Sequence, residues 1–153
     1  MNMFKIFALI SFLIPSLLGC GYQSIYSENK NLDFYITSME FSGNNEINKF
    51  IENELNKFDE KKEKEVKIII NSNFNKNPII KDKKGNVTNY ELVATINLIV
   101  KNGEKIENVS FNESLKIEKN NDNFEQVKYE AKIKKNLYQI LTSRIIFYLK
   151  NTK

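Results

Sequence analysis

The chain has 153 residues, enough for one domain and a targeting segment, and its 41% apolar and 27% charged residues exclude an intrinsically disordered protein. The formal charge of +4 comes almost wholly from lysine, because Arg144 is the sole arginine, and this disfavours specific nucleic-acid recognition. There is no histidine, and Cys20 is the sole cysteine, so the usual general base, an intramolecular disulfide and a cysteine-based zinc site are excluded.

Residues 1–19 have the features of a signal peptide. The apolar run Ile6–Leu18 has about 13 residues, fewer than the roughly 20 that a membrane-spanning helix needs. The sequence Leu-Leu-Gly-Cys at positions 17–20 is similar to a lipobox, in which the thiol accepts a diacylglycerol before cleavage. We therefore predict cleavage before Cys20, lipidation of that cysteine and a polar tether over residues 20–31. The alternative is an ordinary signal peptide or a short anchor with an incidental cysteine.

The first predicted elements of the mature chain are a strand and a helix. Leu32–Phe41 is rich in β-branched and aromatic residues, which predicts strand one. Asn45 is a candidate N-cap for helix one, predicted over Glu46–Phe58, and Asp59–Glu65 is then a charged, solvated connection. The apolar residues of this helix recur at helical spacing: Ile47, Phe50, Ile51, Leu55 and Phe58.

Three strands joined by hairpins are predicted next. Asn75–Asn86, with Pro78, Gly85 and four lysines, is predicted to be a loop or a loosely paired hairpin tip. Asn102-Gly103 is a strong hairpin signal. The inward faces are predicted to carry Val66, Ile68, Ile70, Ser72 and Phe74 in strand two, Tyr90, Leu92, Ala94, Ile96, Leu98 and Val100 in strand three, and Val109, Phe111, Leu115 and Ile117 in strand four. The opposite face is polar, which suits either water or docking inside a polar cavity.

A long helix closes the chain. Asp122 or Asn123 can cap helix two, predicted over Phe124–Lys150. Its predicted apolar stripe is Phe124, Val127, Ala131, Leu137, Ile140, Leu141, Ile145 and Tyr148, flanked by Ile133 and Leu149. The order β-α-β-β-β-α predicts a single α+β domain over residues 32–153, in which two helices pack on one face of a four-stranded, mostly antiparallel sheet. Strands one and two, joined through a helix, are parallel if they are adjacent.

No catalytic constellation is visible, so we predict no enzyme activity, no cofactor and no metal site. The predicted binding site is the region of Lys76, Lys81, Lys83 and Lys84, where amines beside Ile79 and Ile80 suit an amphiphile with phosphates and acyl chains. The alternative for these lysines is an ordinary solvated hairpin tip.

Three parts of the chain carry a family resemblance: the lipobox-like sequence followed by Gly21-Tyr22 and Ser24-Ile25-Tyr26, the strand Tyr90–Leu98, and the helix segments Phe124–Ala131 and Ile140–Ile145. The resemblance is to the opening, the third strand and the last helix of the LptE family, the lipoproteins of lipopolysaccharide (LPS) assembly. It covers most of the mature chain, although lysine, asparagine and isoleucine replace the family's usual arginine and alanine.

The resemblance implies an outer-membrane lipoprotein on the periplasmic side. Such a protein plugs the LptD β-barrel, helps to assemble it, and binds LPS during its insertion into the outer leaflet. Of the functional residues of the LptE family, only the lipidated cysteine can be assigned to a position of this chain, Cys20. From the sequence alone, two alternatives stay open: a stand-alone periplasmic lipoprotein with a scaffold or amphiphile-binding role, and a lipoprotein hydrolase.

Overall fold

The computed structural model describes residues 32–58 and 62–151. The predicted signal peptide and the tether with Cys20 lie outside these residues. The helices and strands are, in chain order, β1 (Tyr35–Gly43), α1 (Asn45–Leu55), a 3₁₀ turn (Asn56–Phe58), β2 (Glu65–Lys81), β3 (Val87–Asn102), β4 (Lys105–Glu118) and α2 (Asn123–Asn151).

The four strands form one mixed sheet in the order β1-β2-β3-β4. β1 and β2 are parallel and joined through α1, whereas β2, β3 and β4 are successive antiparallel hairpins. Both helices pack on the same face of this sheet, as the apolar alternation of the strands requires. The predicted α+β fold is therefore confirmed.

The core lies between this face and the helices. On β3, side chains from Leu92 to Val100 are buried at every second residue, as predicted from the alternation. On β4, by contrast, the inward Leu115 is 38% exposed, because β4 is an edge strand at the rim of the core. Large core side chains that are almost fully buried include Phe34, Ile47, Ile51, Ile68, Ile70, Leu92, Ile96, Leu98 and Leu141.

The junction of β1 and α1 is built by glycine and asparagine. Gly43 has φ +88°, and a Cβ there would lie 1.9 Å from the carbonyl oxygen of Ser72, so only glycine fits without a shift. Asn44, rather than the predicted Asn45, is the N-cap: its Oδ1 accepts from the backbone N–H groups of Glu46 and Ile47 at 3.0 and 3.1 Å. β1 therefore stops abruptly opposite Ser72.

β2 is longer than the sequence suggests. The segment predicted as a loop or loosely paired tip, Asn75–Asn86, is strand as far as Lys81 and pairs with β3, with register shifts next to Ile80. Pro78 is tolerated because no strand in the described part of the chain pairs with β2 on its other side at this point. Only the end of the predicted segment, Asp82–Asn86, is a turn.

The buried stripe of α2 differs from the predicted one. Phe124 and Val127 are each 66% exposed, and Ile140 is also exposed, whereas the predicted flanking residues Ile133 and Leu149 are core. The buried positions Ile133, Leu137, Leu141, Ile145 and Leu149 advance by four residues at each step. Four residues rotate the helix about 40° beyond one full turn, so the stripe winds around the helix. A stripe of this kind follows a twisted sheet.

Candidate functional site

The β2–β3 hairpin ends in a tightly bonded turn. The Asp82 carboxylate accepts from the backbone N–H of Lys84 at 2.8 Å and of Asn86 at 2.9 Å, and from Asn86 Nδ2 at 3.0 Å. These bonds, above all the one from the Asn86 side chain, lower the pKa of Asp82 below its ordinary value. The φ of +85° at Gly85 completes the turn. Asp82 thus fixes the backbone that carries the tip lysines.

Three of the four predicted binding lysines meet at this tip. Lys81 ends β2, and Lys83 and Lys84 lie within the turn, all three exposed. The neighbouring Ile79 and Ile80 are 38% and 52% exposed, so apolar side chains next to these lysines in the chain are also accessible. This group is called the lysine tip below.

Lys76 lies elsewhere. It belongs to the helix face of β2, where its ammonium pairs with the carboxylate of Glu130 on α2 and lies 4.1 Å from the centre of the Tyr90 ring. Burial opposes ionisation of Glu130, but hydrogen bonds from Lys76 and Gln126 outweigh it and lower the pKa of Glu130. Lys76 therefore holds α2 to the sheet and is separate from the lysine tip.

A cleft beyond the start of α1 was not foreseen from the sequence. It has a volume of about 610 Å³ and is largely apolar, with charged groups at its walls. Phe50 and Tyr138 line it with ring centres 6.3 Å apart, and the exposed Val127 also belongs to its lining. We call it the α1–α2 cleft, and its lining residues are Glu46, Phe50, Val127, Glu130, Ala131, Lys134, Lys135 and Tyr138.

A tyrosine hydroxyl and a lysine ammonium both interact with one carboxylate in the lining of the cleft. The Tyr138 hydroxyl donates to Glu46 Oε2 at 3.2 Å, and Lys134 Nζ lies 3.6 Å from the same oxygen. Burial, reinforced by the Glu46 carboxylate, raises the pKa of Tyr138, so this hydroxyl stays protonated and remains a donor. Glu46 and Tyr138 are 92 residues apart. No local sequence pattern reports such a pairing, and the apolar spacing of α2 gave no signal for the cleft.

The face of the sheet opposite the helices is rich in neutral amides and hydroxyls. Cross-strand pairing sets Asn71 beside Asn97 and Ser110, and Asn73 beside Thr95 and Asn112. No helix in residues 32–58 and 62–151 covers this amide face. Its centre can donate and accept hydrogen bonds without carrying charge.

Neither a cluster of metal ligands nor a membrane-spanning helix is present in residues 32–58 and 62–151. In these ranges, no three side chains of aspartate, glutamate, histidine or cysteine cluster closely enough to hold a metal ion. Neither α1 nor α2 is both long and apolar enough to cross a membrane.

Comparison with known proteins places the fold. No family model and no curated protein matches the sequence. Among solved structures, rare lipoprotein B from Shewanella oneidensis matches with a TM-score of 0.58 and 12% identity, over 73% of this chain and 92% of that one. This chain has the fold of rare lipoprotein B. Uncharacterized lipoprotein B from Nitrosomonas europaea, solved by NMR, matches with a TM-score of 0.54 and 14% identity, over 84% of this chain and 88% of that one.

Both matched proteins are lipoproteins by name, and both are covered nearly end to end. The fold is therefore shared over most of each chain rather than over a fragment. At 12% and 14% identity the likeness concerns the fold.

Proposed function

We propose that this protein is an outer-membrane lipoprotein that plugs and helps to assemble an LptD-like β-barrel and binds LPS during its insertion into the outer leaflet. The observation that carries the proposal is the lipoprotein B fold on a chain whose sequence has a lipobox ending at Cys20. The lipid on Cys20 holds the domain to the membrane, on its periplasmic side. Each buried CH₂ of an acyl chain contributes about 0.8 kcal/mol, so several chains anchor firmly.

The amide face supports the plug role. The inside of a large barrel is polar, and a plug must satisfy its hydrogen-bonding groups without introducing unpaired charge. The rows that contain Asn71, Asn97 and Ser110, or Asn73, Thr95 and Asn112, offer donors and acceptors over a flat, uncharged area. Such a face tolerates both water and a polar wall.

The lysine tip supports LPS binding. Lys81, Lys83 and Lys84 supply positive charge for phosphates, and the exposed Ile79 and Ile80 suit acyl chains. We propose no catalytic role, because the chain has no histidine and its sole cysteine is assigned to the lipid.

Extraction in mild detergent followed by affinity purification tests the plug role. We expect a large outer-membrane barrel at near-equal yield and, in the same sample, an N-terminal peptide beginning at a lipid-modified Cys20. A lone monomer with lipidated Cys20 would instead favour the stand-alone lipoprotein with a scaffold or amphiphile-binding role. An intact residue 1–19 segment would reject the anchor.

Replacing Lys81, Lys83 and Lys84 together with serine tests the LPS site. We expect at least about tenfold weaker LPS binding at low salt, because phosphate attraction is largely electrostatic. The matched control replaces Lys64, Lys67 and Lys101 with serine, so that the same amount of charge is removed at the other end of the sheet. Equal losses in the two variants would mean that net charge, not the tip, governs binding.

A further inference from the structure

Half of β2 has an unoccupied edge. β1 pairs with β2 only from Glu65 to Ser72, while β2 runs on to Lys81 with β3 as its one strand neighbour among the described residues. We call Asn73–Lys81 the open edge. Gly43 and Asn44 turn the chain out of the sheet at its start, so the opening is built into the fold rather than left by fraying.

The backbone of the open edge faces outward at alternate residues. The Ser72 carbonyl points toward β1, because it accepts from the Asn44 N–H at 3.0 Å. The direction alternates along a strand, so the N–H and C=O groups of Phe74 and Lys76 point to the same side. Beyond β1 they meet no strand of the described residues. Pro78, next in this series, lacks an N–H, which agrees with its place on an edge.

The side chains of the same two residues contact the α1–α2 cleft. The Phe74 ring lies edge-on to Tyr138 with centres 6.2 Å apart, and Lys134 Nζ lies 5.0 Å from the centre of the Phe74 ring. Lys76 pairs with Glu130 on the wall of the cleft. A strand laid along the open edge would therefore lie at the foot of the cleft and direct alternate side chains into it.

We propose that the open edge and the α1–α2 cleft together bind an extended, acidic segment of a partner polypeptide, which joins the sheet beside β2. Its backbone bonds to Phe74 and Lys76, and small apolar side chains at alternate positions enter the cleft. The open edge ends at the lysine tip and shares Ile79, Ile80 and Lys81 with it, but the backbone groups of Phe74 and Lys76 and the α1–α2 cleft lie outside that tip. The inference does not depend on the proposed function.

The backbone groups and the charges of the site favour an acidic polypeptide segment as its ligand. Paired backbone donors and acceptors call for another backbone, since a hydrocarbon chain would leave them unsatisfied. Lysines outnumber carboxylates around the open edge, which favours acidic residues in the added strand. The lysines are Lys76, Lys81, Lys83, Lys84, Lys134 and Lys135, and the carboxylates are Glu46, Asp82, Glu91 and Glu130.

A second copy of this chain fits the site poorly. Pairing two open edges would bring the lysines of one copy against those of the other, and like charges opposite each other destabilise a sheet. Pro78 would also withhold a donor from each copy. An acidic foreign strand avoids the first problem.

The test uses the mature chain, purified in mild detergent, and a displayed library of random heptapeptides. Ala131→Trp fills the cleft, and Asn136→Trp places the same side chain on an exposed position of α2 outside it. We expect selection of acidic peptides with alternating apolar residues. Ala131→Trp should weaken their binding by at least about tenfold, whereas Asn136→Trp should change it by less than about twofold.

Amide hydrogen exchange supplies a second measurement. In the unbound protein, the amides of Phe74 and Lys76 should exchange faster than those of Asn73 and Asn75, which point toward β3. A selected peptide should slow the first pair and leave the second unchanged. Peptides that bind equally well to wild type and Ala131→Trp would overturn the proposal, as would failure to select any.

Two other outcomes would assign a different occupant to the site and would therefore also overturn the proposal. In the first, the amides of Phe74 and Lys76 exchange slowly in the unbound mature chain, and this protection is lost when the chain is shortened to begin at residue 32. That result would assign the site to the tether. In the second, analytical ultracentrifugation shows a dimer that Ala131→Trp abolishes and Asn136→Trp preserves. That result would assign the site to a second copy of the chain.

Discussion

The two halves of β2 belong to one strand but have opposite surroundings. Glu65–Ser72 lies between β1 and β3 and supplies the buried Ile68 and Ile70. Asn73–Lys81 has one strand neighbour and carries Ile80 at 52% exposure. The first half gives the domain its core, whereas the second half carries exposed lysines, exposed isoleucines and backbone groups that no second described strand pairs with. Thus a strand can be continuous in its hydrogen bonding while its role changes at a single point, the departure of β1.

Truncating one isoleucine in each half tests this contrast most strongly. Ile70→Ala should lower the free energy of unfolding by about 4 kcal/mol, because it opens a cavity in a fully buried site. Ile80→Ala should change it by less than about 0.5 kcal/mol. Urea unfolding followed by circular dichroism measures both. Similar losses would show that the second half is also structural core.

Adding a Cβ at the point of departure should have the next largest effect. Gly43→Ala combines a positive φ with a methyl group 1.9 Å from a backbone oxygen, and should cost about 3 kcal/mol of unfolding free energy. Gly85→Ala, at nearly the same φ but with open space around it, should cost about 1 kcal/mol. Equal costs in urea titrations would mean that the contact with Ser72 relaxes easily.

The ion pair that holds the open edge to α2 should contribute less. A double-mutant cycle with Lys76→Met and Glu130→Gln should give a coupling of about 0.5–1 kcal/mol at pH 7, since the pair is partly exposed. The pKa of Glu130 is lowered in the folded state, so its contribution is present above the ordinary pKa and is lost as the pH falls through the folded value. Coupling that persists at pH 2 would contradict an ionic origin.

The smallest effect concerns the lysine tip alone. Because the pKa of the exposed Asp82 is lowered on folding, the turn should stay ordered near neutral pH and loosen as acid protonates this carboxylate. NMR should show the amide signals of Lys84 and Asn86 shifting together only when the pH falls below the ordinary pKa of an aspartate, while core amides on β3 stay unchanged. Asp82→Asn should remove that titration.

Sequence reasoning succeeded where a local pattern decides the structure. The alternation of β3 predicted its buried face from Leu92 to Val100, and Asn102-Gly103 predicted the hairpin into β4. It was incomplete beyond Asn75, where a proline and four lysines predicted a loop or a loosely paired hairpin tip, whereas β2 continues as a strand to Lys81. Pairing with β3 overrides those local preferences, and an edge position makes Pro78 harmless.

The candidate sites also differ in how much of them a local sequence pattern could predict. Lys81, Lys83 and Lys84 are neighbours in sequence, so their meeting at the tip could be predicted, whereas the partner of Lys76 on a distant helix could not. The α1–α2 cleft depends on where β1 ends and on how the stripe of α2 winds. Both are properties of the assembled sheet, not of any one segment.

The parallel pairing of β1 with β2 also has a consequence for the order of folding. The β2–β3 and β3–β4 hairpins close over short turns, whereas β1 reaches β2 only across α1, with Tyr35 opposite Glu65. Short loop closures precede longer ones, so the three-stranded meander should form first. β1 leaves the ribosome before any other strand of the sheet, yet it has no strand to join until β2 has been made. The earliest strand in synthesis is thus expected to be the last to pair.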